Sequence, residues 1–191
     1  MHFINEKNII LDRELSELDL FVVKFVNILQ KYVPYVIISG YVAILFGRSR
    51  TTEDVDLFIE KIDFPMFNVI YNDLKNAGFW SLNADDKKEL YEMLCDKIAI
   101  RFAPHGTSIP NMEIKFIKDP IDRYTFDNRV KVKLREHTLF VSDIGLQIAY
   151  KRYILGSKKD FEDARHLQKL FNISEEIIKK NHSLLEHHGK I

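Results

Sequence analysis

The stretch Tyr35–Glu60, YVIISGYVAILFGRSRTTEDVDLFIE, decides the fold that this chain can adopt. It begins with a β-branched run at 36–38, which is typical of a strand. The small residues Ser39 and Gly40 interrupt that run and predict a tight turn. The apolar residues 41–46 predict a short helix that ends at the next glycine. A basic loop then leads into a second strand, so the stretch predicts strand, turn, helix, loop and strand in succession.

The second strand carries two acidic residues, Asp54 and Asp56. Side chains two positions apart on a strand point to one face, so these carboxylates project together, and Val55 and Leu57 project to the other face. At roughly 4–5 Å and an effective dielectric constant of about 20, their repulsion is about 3–4 kcal/mol, which a cation or a raised pKa relieves. The pair is therefore either two solvated residues at a strand end or an oxygen site for Mg²⁺ (or Mn²⁺), which commonly binds one or two carboxylates and substrate phosphates.

The composition limits the class of protein. A chain of 191 residues with 46% apolar content is long enough for one globular domain or two small ones. Lys and Arg together number 28, as do Asp and Glu, so no overall basic field indicates a nucleic-acid partner. Cys95 is the only cysteine, which excludes an internal disulfide. The sequence has no run of transmembrane length and no signal-peptide pattern, so we expect a cytoplasmic protein that does not enter a membrane.

Hydrophobic periodicity predicts the remaining elements. Helices are predicted at 11–31, 64–77, 85–96, 143–155 and 158–171, with a last one between Ser174 and His187, and strands at 79–82, 98–102, 112–117, 130–134 and 138–141. The polar segment 119–129 is predicted to be a junction. These elements indicate an α/β (α+β) fold in which helices flank a mixed sheet. We expect a core at 1–125, followed by a hairpin and a mostly helical portion at 126–191.

Residues 112–117 alternate in a way that concerns the acidic pair. Met112, Ile114 and Phe116 share one face of the predicted strand. If that face packs against the helices, Glu113 lies on the face that carries the acidic pair. Glu113 is then either a third acidic residue of one site or a solvated glutamate on an edge strand.

The motif around Ser39-Gly40 and Asp54-x-Asp56 resembles the DNA polymerase β-like nucleotidyltransferase superfamily, which has Gly-Gly or Gly-Ser after its first strand and a metal-binding DxD. The version GYVAILFGRSRTTEDVDL looks most like the small prokaryotic branch of AbiEii-type toxins and lincosamide-type nucleotidyltransferases. The family order of the turn residues is reversed here. In that family a third carboxylate from a neighbouring strand serves as metal ligand or general base, and Glu113 is the candidate.

A second segment, SDIGLQIAYKRYILGSKKDFEDARHL at 142–167, resembles the later motifs of AbiEii-like enzymes. The resemblance implies that Lys151 contacts nucleotide phosphates, and that Asp160 or Asp163 orients that lysine or a substrate hydroxyl. From the residues alone, Asp160 can equally stabilise a helix N-terminus, and Lys151 can form a salt bridge with Asp163. The loop arginines, Arg48 and Arg50, either contact a triphosphate, bracket the carboxylates or are solvated.

The resemblance implies a Mg²⁺-dependent nucleotidyltransferase that moves a nucleoside monophosphate from an NTP to a hydroxyl by two-metal catalysis. Asp54, Asp56 and Glu113 would be its metal-binding and catalytic residues, and Ser39 and Gly40 would cradle the terminal phosphates. The acceptor is left open among RNA, protein and small molecules, and a toxin–antitoxin role follows from kinship alone. The alternative is a non-catalytic nucleotide-binding or adaptor protein that retains the fold.

Overall fold

The computed structural model describes residues 2–5 and 7–190, with side chains from residue 7 onward. Its strands are β1 (His2–Asn5), β2 (Asn8–Leu11), β3 (Tyr35–Ile37), β4 (Asp54–Ile59), β5 (Phe79–Ser81), β6 (Ile100–Pro104), β7 (Asn111–Phe116), β8 (Val130–Leu134) and β9 (His137–Val141). Its helices are α1 (Glu17–Leu29), α2 (Gly40–Leu45), α3 (Phe64–Asn76), α4 (Lys87–Cys95), α5 (Pro120–Asp127), α6 (Ile144–Tyr150), α7 (Lys158–Phe171) and α8 (Glu175–His187). A π-helical turn, Lys151–Leu155, follows α6 directly.

The strands described form one mixed sheet in the order β1-β2-β8-β9-β3-β4-β7-β6-β5. β4 lies between β3, to which it is antiparallel, and β7, to which it is parallel. The predicted hairpin is present as β8 and β9, and it is inserted in the same sheet between β2 and β3. This confirms the predicted mixed sheet with flanking helices. The division at residue 125 stays a prediction.

The two faces of the sheet bury different amounts of apolar surface. Val55 and Leu57 of β4 and Ile114 of β7 belong to the main core, together with helices α1 and α3. On the opposite face Phe58 packs with Val36 and Phe126 in a much smaller cluster. The large core anchors the sheet, and the other face remains partly open near Asp54 and Asp56.

Two segments differ from the sequence prediction. The helix expected at 11–31 begins only at Glu17, because Ser16 and Asp19 form a capping box there, and its first expected residue, Leu11, is instead the end of strand β2. The expected junction at 119–129 is instead helix α5, where Asp119 accepts a hydrogen bond from the backbone of Asp122 as its N-cap. Among the residues described, no helix is both long and apolar enough to cross a bilayer.

Candidate functional site

The register between β4 and β7 sets the positions of the acidic residues. Asp56 pairs with Glu113 across the parallel ladder, and Asp54 pairs with Asn111. Val55 and Leu57 are fully buried on the other face. The alternation predicted for both strands is therefore correct, and Glu113 lies beside Asp56. That these residues bind a metal ion stays a prediction.

A lysine that the sequence analysis did not select lies between two of these carboxylates. The ammonium Nζ of Lys115 is 2.7 Å from Asp56 Oδ1 and 2.6 Å from Glu113 Oε1. Arg101 binds the other oxygen of Glu113, with its Nε at 2.7 Å and its Nη2 at 2.6 Å from Oε2. Although burial raises the pKa of Glu113, the hydrogen bonds from Lys115 and Arg101 hold it below its ordinary value.

Asp56 has the opposite electrostatic balance. Burial raises the pKa of the Asp56 carboxyl, and the charges of Glu113 and Asp54 raise it further, whereas Lys115 lowers it. Asp54 accepts a hydrogen bond at 3.3 Å from the hydroxyl of Thr52, and its carboxylate forms no ion pair with any residue of 7–190. Two neighbouring carboxylates that repel each other suit a hard divalent cation, which takes oxygen ligands.

Asp54 and Asp56 supply two carboxylates, which are oxygen donors of the kind that Mg²⁺ or Mn²⁺ takes beside substrate phosphates. Within the described part of the chain, no group of three or more His, Cys, Asp and Glu side chains is arranged to hold a metal ion. Both oxygens of Glu113 are already bound, one by Lys115 and the other by Arg101. When bound, a divalent ion would neutralise charge on substrate phosphates.

The turn Ser39-Gly40 lies directly beside Asp56. The amide N–H of Ile38 donates to the carbonyl of Asp56 at 3.0 Å, which fixes β3 against β4 immediately before the turn. Ser39 has a backbone φ of 65° and ψ of −135°, a conformation that favours glycine. The side chain of Gln147 holds this backbone in place, because its Nε2 donates to the Ser39 carbonyl at 2.9 Å.

An arginine side chain closely approaches Gly40. A Cβ at residue 40 would lie 2.4 Å from Nη2 of Arg50 and 3.5 Å from Oγ1 of Thr52. The turn, the loop arginine and the start of β4 are therefore packed against one another. Any side chain at Gly40 would displace Arg50.

A cavity of about 250 Å³ opens on this face of the sheet, between β3, β4, β7, α5 and α6. Ser39, Asp56 and Lys115 lie at its lining. Its other polar groups include Lys118 and Lys190, and Phe58, Leu146 and Tyr150 are among its apolar and aromatic walls. The predicted turn and one of the predicted carboxylates thus border a single cavity that also carries three lysines.

A buried cluster of ion pairs is formed by Lys151, Asp160 and Asp163. The Lys151 side chain is fully buried, and its ammonium lies 3.1 Å from Asp160 Oδ1 and 2.9 Å from Asp163 Oδ2. Although burial raises the pKa of Asp160, hydrogen bonds from Ser157 and Lys151 lower it overall. This matches the salt-bridge alternative for these residues. None of the three lines the cavity, and their nucleotide contacts stay predictions.

The loop arginines join the same network. Arg50 donates from Nε and Nη2 to the two oxygens of Asp163, at 3.1 and 3.0 Å. Arg48 binds Glu162 at 2.5 Å and lies 3.7 Å from Asp163. Both arginines therefore fasten the loop before β4 to helix α7, and either one would have to leave a carboxylate to reach a phosphate.

Two residues of this site were not found from the sequence. Lys115 had a usable signal, since it shares the predicted strand face with Glu113 two positions away. Gln147 had none, because its contact with Ser39 spans 108 residues and depends on how α6 packs on the sheet.

The geometry can be compared with known proteins. No protein-family model matches the chain, and no curated protein matches it significantly. The crystal structure of an antigenic nucleotidyltransferase-like protein from Paracoccidioides brasiliensis is similar, with a TM-score of 0.52 at 17% identity over 91% of this chain and 90% of that one. The solution structure of the antibiotic-resistance factor ANT(2'')-Ia gives a TM-score of 0.50 at 10% identity, over 88% and 90%.

The chain has a nucleotidyltransferase-like fold. At such low identities the similarity concerns the fold alone, and it indicates no specific substrate for this chain. Kinship to the AbiEii-type branch in particular stays a prediction.

Proposed function

We propose that this protein transfers a nucleoside monophosphate from an NTP to an acceptor hydroxyl and releases pyrophosphate. The observation that carries the proposal is the convergence of three parts on one face of the sheet. The strained turn at Ser39 lies beside Asp56, Asp54 shares the face with Asp56, and a cavity opens at the turn. The nucleotidyltransferase-like fold supports the same reaction class.

Each part has a chemical task in this proposal. The backbone N–H of Gly40 and the hydroxyl of Ser39 bind the terminal phosphates of the NTP; the N–H of Ser39, which donates to Gln147 Oε1 at 3.4 Å, joins them by leaving that oxygen. Asp54 and Asp56 would hold Mg²⁺ or Mn²⁺, and such an ion would supply positive charge that stabilises the phosphates during transfer. Burial is the main cause of the raised pKa of Asp56, and the charges of Glu113 and Asp54 add to it; a bound cation would offset that part of the repulsion.

The buried ion pairs support the site from outside the cavity. Arg50 binds Asp163 and packs against Gly40, so helix α7 fixes the turn that receives the phosphates. Lys151 anchors Asp163 from the other side. In this proposal five charged side chains hold the turn and the loop in register with β4. They are Arg48, Arg50, Lys151, Asp160 and Asp163.

Incubation with each α-labelled NTP, Mg²⁺ or Mn²⁺ and cell extract tests the proposal. We expect label to appear on RNA, protein or a small molecule, and the double variant Asp54→Asn/Asp56→Asn to abolish labelling without unfolding. The matched control Asp12→Asn/Glu14→Gln removes two exposed carboxylates that pair with Arg135 and do not line the cavity, and it should label normally. Equal labelling by the Asp54/Asp56 variant would refute the mechanism.

A non-catalytic nucleotide-binding or adaptor protein is the second candidate, and Lys115 is the observation that favours it. Its ammonium already neutralises Asp56 and Glu113, so these carboxylates have a partner without a metal ion. Such a protein would bind nucleotide and label nothing. Nucleotide at about 100 times its dissociation constant would still stabilise the fold by about 2.7 kcal/mol, which thermal unfolding detects.

A further inference from the structure

Lys115 occupies the space between two strands where acidic side chains face each other. It lies two residues beyond Glu113 on β7, so both side chains leave the same face of the strand. Its ammonium contacts one oxygen of Asp56 and one of Glu113, at 2.7 and 2.6 Å. A single positive charge therefore bridges the two carboxylates that β4 and β7 place side by side.

The remaining oxygens of the cluster divide into two kinds. Glu113 has none to spare, because Oε1 binds Lys115 and Oε2 binds Arg101. By contrast, Oδ2 of Asp56 and Oδ2 of Asp54 accept no hydrogen bond from the residues at 7–190. Of these three carboxylates, only the two on β4 thus keep an oxygen without a hydrogen-bond partner among residues 7–190.

We propose that the Lys115 ammonium replaces a second divalent cation, so that the site binds one divalent ion through Asp54 and Asp56 instead of the two expected from the sequence. An ion that bridged Asp56 and Glu113 would have to occupy the volume of the ammonium group, and the two positive charges would repel each other. Arg101 reinforces the exclusion because it binds the Glu113 oxygen that faces away from Lys115. The role of the single ion in catalysis rests on the proposed function, but the number of ions does not.

Counting bound Mn²⁺ per chain by electron paramagnetic resonance of the free ion, without nucleotide, tests this. We expect one Mn²⁺ per wild-type chain and two for Lys115→Met, which frees Asp56 Oδ1 and Glu113 Oε1. Lys115→Arg keeps the charge and should still bind one. Lys118→Met is the matched control, since this lysine lines the same cavity but forms no ion pair within residues 7–190, and it should also bind one.

Thermal unfolding of each variant shows whether the fold is retained. Two ions, or none, on the wild-type chain would overturn the proposal, as would a folded Lys115→Met variant that still binds one. A wild-type chain that binds one Mn²⁺ but labels no acceptor with any NTP would refute the proposed function and leave the single-cation site intact. Two bound ions on a wild-type chain that labels an acceptor normally would refute the single-cation site and leave the proposed function intact.

Discussion

Arg50 and Asp163 form a two-pronged ion pair across 113 residues of sequence, with Nε at 3.1 Å and Nη2 at 3.0 Å from the two carboxylate oxygens. The same carboxylate also accepts from the buried ammonium of Lys151 at 2.9 Å. Asp163 is thus the shared counter-ion of two cations, one from the loop before β4 and one from the π-helical turn after α6. It joins the C-terminal helices to the turn at Gly40.

Replacing Asp163 by Asn should destabilise the fold strongly. The change leaves the fully buried Lys151 and the mostly buried Arg50 without their common charge partner, and breaking a buried pair from one side typically costs about 3–5 kcal/mol. Urea unfolding measures the free energy. The adjacent variant Glu162→Gln removes a more exposed partner of Arg48, and its expected cost is below about 1 kcal/mol.

A second substitution tests how much of the stability lost in Asp163→Asn comes from the missing ion pair and how much from altered packing. Adding Lys151→Met to Asp163→Asn removes a buried ammonium that has lost one of its two carboxylate partners, so part of the lost stability should return. An Asp163→Asn variant as stable as Glu162→Gln would mean that the network contributes little to folding.

Ser39→Gly should stabilise the protein while it weakens nucleotide binding. Ser39 adopts φ 65° and ψ −135°, and relief of such strain by glycine is worth about 1–3 kcal/mol, partly offset by about 0.4–1 kcal/mol from the freer unfolded chain. The proposed function assigns the lost hydroxyl to a phosphate contact, so NTP affinity should fall. Thermal unfolding with and without NTP measures both effects.

Ser174→Gly provides the comparison for this substitution. Ser174 caps α8 at φ −69°, an unstrained backbone, and its hydroxyl accepts from Ile177. Glycine there should lower stability by a few tenths of a kcal/mol, opposite in sign to the effect at Ser39. If both variants lose stability, the Ser39 backbone is not under strain.

The parts of the site that follow from local periodicity could be predicted from the sequence. The two-residue repeat of strands placed Asp54, Asp56 and Glu113 on one face, because side-chain direction in a strand depends only on position. The partners of Lys151 could not be chosen in the same way. A lysine on a helix can meet either a phosphate or a carboxylate, and only the packing of α6 against α7 brings Asp160 and Asp163 to its ammonium.

Errors in the predicted elements have a similar cause. Helix α5 carries an N-cap and a first-turn proline, Asp119 and Pro120, but its short apolar stripe resembles a polar loop when only the sequence is considered. Strand β2 was not predicted, and its last residue, Leu11, was assigned to the helix, because its partner β8 lies more than a hundred residues away. In α7 the apolar side chain of Phe161 is exposed, whereas Asp163 on the same helix is fully buried.

Asp19 should give the protein a distinct loss of stability in acid. This fully buried carboxylate accepts hydrogen bonds from the guanidinium of Arg13, the hydroxyl and backbone N–H of Ser16, and the hydroxyl of Tyr41, at 2.6–3.0 Å. Although burial raises the pKa of Asp19, these hydrogen bonds lower it to about 2 from 3.8. At 1.36 kcal/mol for each pKa unit, the ionised form stabilises the fold by roughly 2 kcal/mol.

The sign follows from the direction of the pKa change. Because the pKa of Asp19 is lower in the folded state, its stabilisation is complete above about pH 4 and is lost as the pH falls through about 2. Asp19→Asn should be less stable than wild type at pH 6, and the difference should shrink toward pH 2. Urea unfolding at successive pH values measures it, with Asp12→Asn, whose side chain is 69% exposed, as a control expected to follow the wild-type curve. A difference between wild type and Asp19→Asn that stays constant from pH 6 to pH 2 would contradict the role given to this carboxylate, since a loss of packing alone does not depend on its protonation.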